Sequence, residues 1–289
     1  MHGPPWTVKA LLAATAEFFQ KKGLDSPRLD AQILLAHVLK CSKIDLMVRY
    51  GEEPTDGQRA AFRELVRQRS EHWPTAYLTG HREFYMLAME VSPAVLIPRP
   101  DTETLVLAVL GELKAKPSAT ILDLGTGSGC IAVSLAKHAP GARVTAVDVS
   151  PDALIVAKRN AATHAVEGRV SFLQGDLFAP VSGRFDVIAS NPPYIAPGEF
   201  ASLSPEVRDH EPRIALDGGP DGLNFYRRIA AGAGAFLAPG GVVFVEIGST
   251  QDESVRAIFA AAGYAVSPTI RDAGKRPRVI QAHLTEADA

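Results

Sequence analysis

Apolar and polar positions divide the chain into three stretches of different period. From Val8, apolar or small side chains return at Leu11, Leu12, Thr15, Phe18 and Phe19. That i, i+3, i+4, i+7 stripe lays one face of an α-helix against a core. Gly23 is its stop. Ser26 before Pro27 reads as an N-cap with proline at the first helical position, and Leu29, Ile33, Leu34 and Val38 form the next apolar face. Thr55 with Gln58 is a capping box ahead of Phe62, Leu65 and Val66. Three or four helices of this size predict a small bundle over residues 1–73. It holds no catalytic-looking cluster, so a scaffold or recognition role is expected of it.

Residues 74–98 change character. Tyr77, Leu78, Phe84, Tyr85, Leu87, Met89, Val91, Val95, Leu96 and Ile97 alternate with polar or small residues, with Gly80-His81 as a turn. This predicts a β-hairpin linker, closed by Pro98 and Pro100, which forbid further ladder pairing. A helix opens at Asp101-Thr102-Glu103. From 118 the period switches between strand and helix. Strands are predicted at 121–124, 144–148, 170–173, 185–189, 242–247, 264–266 and 278–284, with helices between most of them and a loop-rich stretch at 191–222. Such alternation predicts an α/β domain over 99–289, a mostly parallel seven-stranded sheet covered on both faces.

Composition narrows the function classes. The 289 residues carry 30 basic and 32 acidic side chains, a net charge of −2, whereas domains that grip a nucleic-acid backbone usually carry a basic excess. The two cysteines, Cys41 and Cys130, form no CxxC pair, and the eight histidines show no HxxH spacing, so neither a disulfide framework nor a metal site is expected. No apolar run reaches the ~18–20 residues of a membrane span, and the first residues show neither a charged n-region before an apolar stretch nor arginine. A cytoplasmic protein is expected.

The candidate chemistry lies at strand ends. DLGTGSG occupies 123–129, directly after a strand and before a helix. The dinucleotide fingerprint would need glycine at 130, which is Cys130, and no phosphate-loop motif occurs. G-x-G-x-G preceded by an aspartate is the usual mark of S-adenosylmethionine (SAM) binding; a tight strand-to-helix turn is the plainer reading. Asp123, Gly125, Thr126, Gly127, Ser128 and Gly129 are thus candidate cofactor residues. Asp148, at the end of the second strand, can accept from both ribose hydroxyls. Asp176, after the third, can accept from an adenine amino group or cap a turn, with Leu177 or Phe178 covering the ring. Three successive strand ends carrying these groups favour a nucleoside cofactor.

The fourth strand ends in Asn191-Pro192-Pro193-Tyr194. A planar nitrogen is a weak nucleophile because its lone pair is delocalised. Asn191 Oδ1 and the Pro192 carbonyl can each accept one of its N–H groups as charge develops there. Pro193 helps to stiffen the loop, and Tyr194 can stack on a flat acceptor. Two prolines simply ending a strand is the plainer alternative.

The chain resembles the PrmC/HemK family, methyltransferases of the release-factor glutamine side chain. The resemblance rests on LIPRPDTE at 96–103, the glycine loop, Asp148, the GDLF run at 175–178, NPPY at 191–194, Glu211-Pro212, the glycine-rich 216–222 and VEIG at 245–248. Met86 departs from the family, which usually has glycine there. The resemblance implies a class I, Rossmann-like methyltransferase domain with SAM as cofactor and S-adenosylhomocysteine as product. Gly125 to Gly129, Asp148, Leu177 and Asn191 would line the SAM site, and Asn191, Pro192, Pro193 and Tyr194 would hold the acceptor. The acceptor would be the glutamine of the Gly-Gly-Gln loop of class I release factors, docked by the helical domain. Arg99 and Glu103 would border the cofactor pocket or form a structural salt bridge, and 217–222 would be a turn cluster. A monomer with no direct nucleic-acid partner is expected. The alternative is an N6-adenine or other exocyclic-amino methyltransferase of nucleic acid, since NPPY serves those nitrogens equally well.

Overall fold

The computed structural model describes residues 6–285; residues 1–5 and 286–289, the outer ends of the first and last expected domains, lie outside it. The described chain forms two compact units. Within the described residues one comprises 6–80 with Ser204–His210, the other His81–Leu203 with 211–285.

The first unit is helical: α1 (Val8–Lys21), α2 (Pro27–Leu39), α3 (Lys43–Val48), α4 (Asp56–Ser70) and α5 (Thr75–Thr79). The Thr55–Gln58 capping box forms with both of its hydrogen bonds, and Ser42 and Asp45 make a second one that opens α3. Val8, Phe19, Leu34, Leu35, Leu46 and Phe62 meet in its core. Arg69, nearly fully buried, pairs with Asp30 at 2.8 Å and with Glu206 at 2.5 Å. A buried cation needs such partners, because desolvating it alone is costly.

The second unit begins with a hairpin, β1 (His81–Phe84) and β2 (Leu87–Glu90). It spans less than the expected 74–98. Tyr77 and Leu78 belong to α5, which Gly80 ends in the left-handed conformation (φ 78°). A short apolar run suits helix or strand equally, and a left-handed glycine directly after it ends a helix. The hairpin turn is made by Tyr85 and Met86, both at positive φ (46° and 62°), which is where glycine would be unstrained. Residues 91–97 are not a strand: Val91, Val95 and Ile97 are buried, but the Ile97 N–H donates to Glu211 Oε2 instead of to a ladder.

Then follow α6 (Glu103–Leu113), β3 (Thr120–Leu124), α7 (Cys130–His138), β4 (Arg143–Asp148), α8 (Pro151–Thr163), β5 (Val170–Gln174) and β6 (Phe185–Ser190). After the short α9 (Pro205–His210) come α10 (Asn224–Ala233), β7 (Leu237–Glu246), α11 (Asp252–Ala261), β8 (Tyr264–Val266), β9 (Ile270–Arg271) and β10 (Pro277–Leu284). The sheet runs β5-β4-β3-β6-β7-β10-β8, with β9 added beside β10. The first five strands are parallel; β10 is antiparallel to its neighbours. Alternate side chains of each strand enter opposite cores: Ile121, Val187 and Phe244 pack with α6 and α7, while Leu122, Ile188 and Val243 pack with α10 and α11. No helix among the described residues is long and apolar enough to cross a membrane.

Candidate functional site

Register places the site. Leu124 pairs with Val147 on one side and Ser190 on the other, Asp148 pairs with Gln174, and Ser190 pairs with Val245. The glycine loop, Asp148, the 175–177 turn, Asn191 and Glu246 therefore leave adjacent strands at one end of the sheet, where α/β folds hold ligands.

The glycine loop is fixed before any ligand is considered. Gly125, Gly127 and Gly129 have φ of 72°, 54° and 79°, and the Gly125 and Thr126 N–H groups both donate to Val147 O. Asp123 is fully buried. Its Oδ2 accepts from the Thr126 hydroxyl at 2.6 Å, and burial pushes the carboxyl up to about 7. Asn160, buried in α8, donates to Ser128 O at 2.8 Å. Asp148 Oδ2 accepts from Gly127 N–H at 2.8 Å and Oδ1 from Ser150 N–H at 2.9 Å. Burial raises its pKa, opposed by those two donors.

A cavity opens over this loop. Gly125, Gly127, Asp148, Asp176, Leu177, Asn191, Pro192 and Pro193 all line it. Nothing lies within 4 Å of where a Cβ on Gly125 or Gly127 would stand, so bare backbone faces open space there. Asp123, Thr126, Ser128 and Gly129 do not line it; they are buried on the loop's inner side and shape it. Asp176 is exposed and pairs with Arg228 at 2.7 Å. Leu177, at φ 50°, is half-buried. An acid, a glycine backbone and an apolar wall are what a nucleoside needs, so these residues fit one.

The Asn191 loop closes the other side. Asn191 Nδ2 donates to Thr102 Oγ1 at 3.1 Å. Pro192 is buried and Tyr194 half-buried, its phenol pushed up to about 12 by desolvation and the nearby Glu246. Tyr194 does not line the cavity. Its carbonyl accepts from Gln251 Nε2 at 3.0 Å. The 217–222 turn cluster clamps this loop: Ile195 bridges Asp217, and a Cβ on Gly218 would stand 2.7 Å from Tyr194 Cα.

Arg99 forms a structural salt bridge with Glu211 at 2.5 Å, and Glu103 Oε1 accepts from Tyr85 N–H at 2.9 Å; neither lines the cavity. No functional signal in the residue pattern marks Ile214, Ala215 and Phe225, which also line the cavity wall, or Asn160 and Gln251. Ala94, Val95 and Leu96 are also on the wall; Leu96 opens the LIPRPDTE stretch and the other two directly precede it, the one signal that could have found them.

The comparisons agree with this geometry. The family model of the PrmC N-terminal domain matches residues 10–80, and that of the methyltransferase small domain matches 99–204. The chain is 48% identical over 249 residues to the release factor glutamine methyltransferase of Rhodopirellula baltica, covering 84% of each chain. It is 43% identical over 282 residues to that of Moorella thermoacetica, covering 97% of this chain and 99% of the other. Among solved structures, a methyltransferase from Pyrococcus furiosus shares the fold at TM-score 0.52 and 22% identity, over 69% of this chain and 89% of the other. With identities above 40% along nearly the whole length, and with the glycine loop and Asn191 loop opening on one cavity, this chain belongs to the release factor glutamine methyltransferase family.

Proposed function

We propose that this protein transfers a methyl group from SAM to the side-chain amide nitrogen of the glutamine in the Gly-Gly-Gln loop of class I release factors, leaving S-adenosylhomocysteine and a proton that the nitrogen gives up to solvent. The observation that carries the reading is the shared cavity: Asn191, Pro192 and Pro193 face the same space as Gly125, Gly127 and Asp148. Cofactor and acceptor residues on one cavity supply the proximity that a two-substrate transfer requires, worth about 7–11 kcal/mol when well oriented.

SAM, when bound, supplies a methyl group on a sulfonium that leaves as a neutral thioether. Gly125 and Gly127 would offer backbone to it, Asp148 would hold its ribose hydroxyls, and Asp176 and Leu177 would hold its base. Asn191 Oδ1 and the Pro192 carbonyl accept the two N–H groups of the acceptor amide, which turns its lone pair toward the methyl and stabilises charge at nitrogen. Pro192 and Pro193 hold that carbonyl in place. The helical unit docks the release factor. An open cleft of about 1080 Å³ between α1 and α2, walled by Leu12, Ala16, Leu24 and Leu29, supports that role. A monomer working in the cytoplasm without direct nucleic-acid contact completes the reading, in keeping with the net charge of −2.

The test offers methyl-labelled SAM with purified release factor, and separately with DNA and RNA. Label on the glutamine of the Gly-Gly-Gln loop is expected. Label in nucleic acid but not in the release factor overturns the reading in favour of a base methyltransferase.

A further inference from the structure

Beside Asn191 the sheet buries a carboxylate that the transfer itself does not use. Glu246 is 1% exposed at the end of β7, one residue beyond the Ser190–Val245 pair, just as Asn191 is one residue beyond it on β6. The Thr102 hydroxyl is the foremost group holding the Glu246 pKa down, and Thr102 Oγ1 accepts from Asn191 Nδ2 at 3.1 Å. Thr102 is itself buried, 2% exposed.

A hydroxyl has one hydrogen. Once an ionised carboxylate has taken it, Thr102 can only accept. Asn191 must then offer Thr102 its NH₂ group, and its Oδ1 is left for the cavity. With the amide turned the other way, Asn191 would present donors to an acceptor that itself brings two N–H groups. Nothing in an asparagine's shape selects between the two orientations; only its hydrogen-bond partners do.

We infer that Glu246 is a positioning residue which, through Thr102, sets the amide orientation of Asn191 so that Oδ1 faces the acceptor nitrogen. The inference rests on the proposed role of Asn191 in holding the acceptor amide. Two further observations fit. Among the described residues Glu246 Oε2 has no hydrogen-bond partner, an unsatisfied buried oxygen of the kind that calls for a functional explanation. Burial also pushes the carboxyl up to about 7, opposed by Thr102 and Arg278. The charged and titratable groups that interact with it come from several elements: Arg99 and Asp101 ahead of α6, Cys130 at the start of α7, Arg278 on β10, Tyr194 after β6 and Tyr226 on α10. Protonation gives Glu246 a hydrogen of its own to donate and relaxes the one-way chain. At saturating SAM and release factor, kcat should therefore fall as pH drops below about 7.

The experiment measures kcat and KM of the full-length enzyme for release factor with labelled SAM, alongside SAM affinity by calorimetry. Glu246→Gln and Thr102→Val are expected to lower kcat by about 10- to 100-fold with KM and SAM affinity little changed, as for a small misplacement of a reacting group. Thr102→Ser, which keeps the hydroxyl, restores most of kcat. The acidic limb of the kcat profile disappears in Glu246→Gln. A Thr102→Val enzyme with wild-type kcat while Asn191→Ala is inactive overturns the inference and leaves the acceptor reading standing. Undiminished kcat in Asn191→Ala overturns that reading instead. Should Glu246→Gln fail to fold, the Thr102→Val and Thr102→Ser pair still decides. Loss of SAM affinity equal to the loss of kcat in Thr102→Val marks a merely structural role and also overturns the inference.

Discussion

Two loops at the carboxyl ends of the sheet stand over buried acids, and they are wired differently. Under the glycine loop, Asp123 bonds Thr126 within the same turn of chain. Under the Asn191 loop, the Glu246 pKa is held down by the hydroxyl of Thr102, which stands on a separate element, and Thr102 Oγ1 accepts from Asn191. Both acids are pushed up to about 7 by burial, and among the described residues each leaves one oxygen without a partner. The first device is closed and stiffens backbone. The second is open-ended and hands a direction to a side chain on the cavity. A loop that offers main chain to its ligand needs only to be held still; a loop that offers an amide side chain must also be told which way round to stand.

That contrast can be broken at either loop. The largest effect is expected at Asn191. Asn191→Ala should lower turnover by about 10²- to 10³-fold, the scale of removing one group that stabilises developing charge, with SAM affinity nearly unchanged in calorimetry. An equal loss of SAM binding would mean that the two loops do not divide the work. Gly218→Ala comes next. Its Cβ would stand 2.7 Å from Tyr194 Cα, so the acceptor loop must shift, and kcat should fall by about 10²-fold in single-turnover assays while SAM binding survives. Gly127→Ala is the sharpening partner. No atom lies within 4 Å, but φ is 54°, so strain of about 1–2 kcal/mol is expected to appear in SAM affinity. A loss of kcat at saturating SAM would contradict it.

Asp148→Asn should weaken SAM by about 10-fold or more, because one amide N–H would then face a backbone N–H of Gly127 or Ser150 and leave it unsatisfied. Unaltered affinity would show that the carboxylate is not needed there. The last effect is on stability, not on turnover or binding. Folding raises the Asp123 carboxyl to about 7, so between about pH 4 and 7 the folded chain holds more protons than the unfolded one, and stability declines as pH rises through that window. Asp123→Asn removes that slope. The difference in unfolding free energy between pH 5 and pH 8 should shrink by about 2–3 kcal/mol in denaturant titrations. Parallel profiles for the two proteins would show that Asp123 does not ionise differently on folding.

What the sequence made legible follows the same division. The glycine loop and Asp148 announce themselves because their partners are close in sequence or on the next strand end. The strands of the sheet, apart from the two-residue β9, were readable from alternation and short apolar runs. Thr102 and Glu246 were visible only as parts of LIPRPDTE and VEIG, because a contact across that much chain leaves no local period. Pro205–His210 was hidden in a loop-rich stretch for a related reason. It is six residues of mostly polar chain with no apolar stripe, and it is held by tertiary partners: Glu206 by Arg69, and His210 by Trp73, whose ring centroid lies 4.5 Å away. Tyr77 and Leu78 misled in the opposite direction, since two apolar residues carry no period at all.

Because Glu206 and His210 belong to the helical unit yet reach it from a stretch of chain more than 120 residues further on, that unit has no single seam in the gene. A fragment ending at Gly80 would keep Arg69 and Asp30 but lose Glu206, leaving the buried guanidinium with one carboxylate in place of two. Recombination between relatives, natural or engineered, therefore has to carry two separated pieces of coding sequence together. Positions 69, 73, 206 and 210 are expected to change in concert, because residues that share a contact network are energetically coupled.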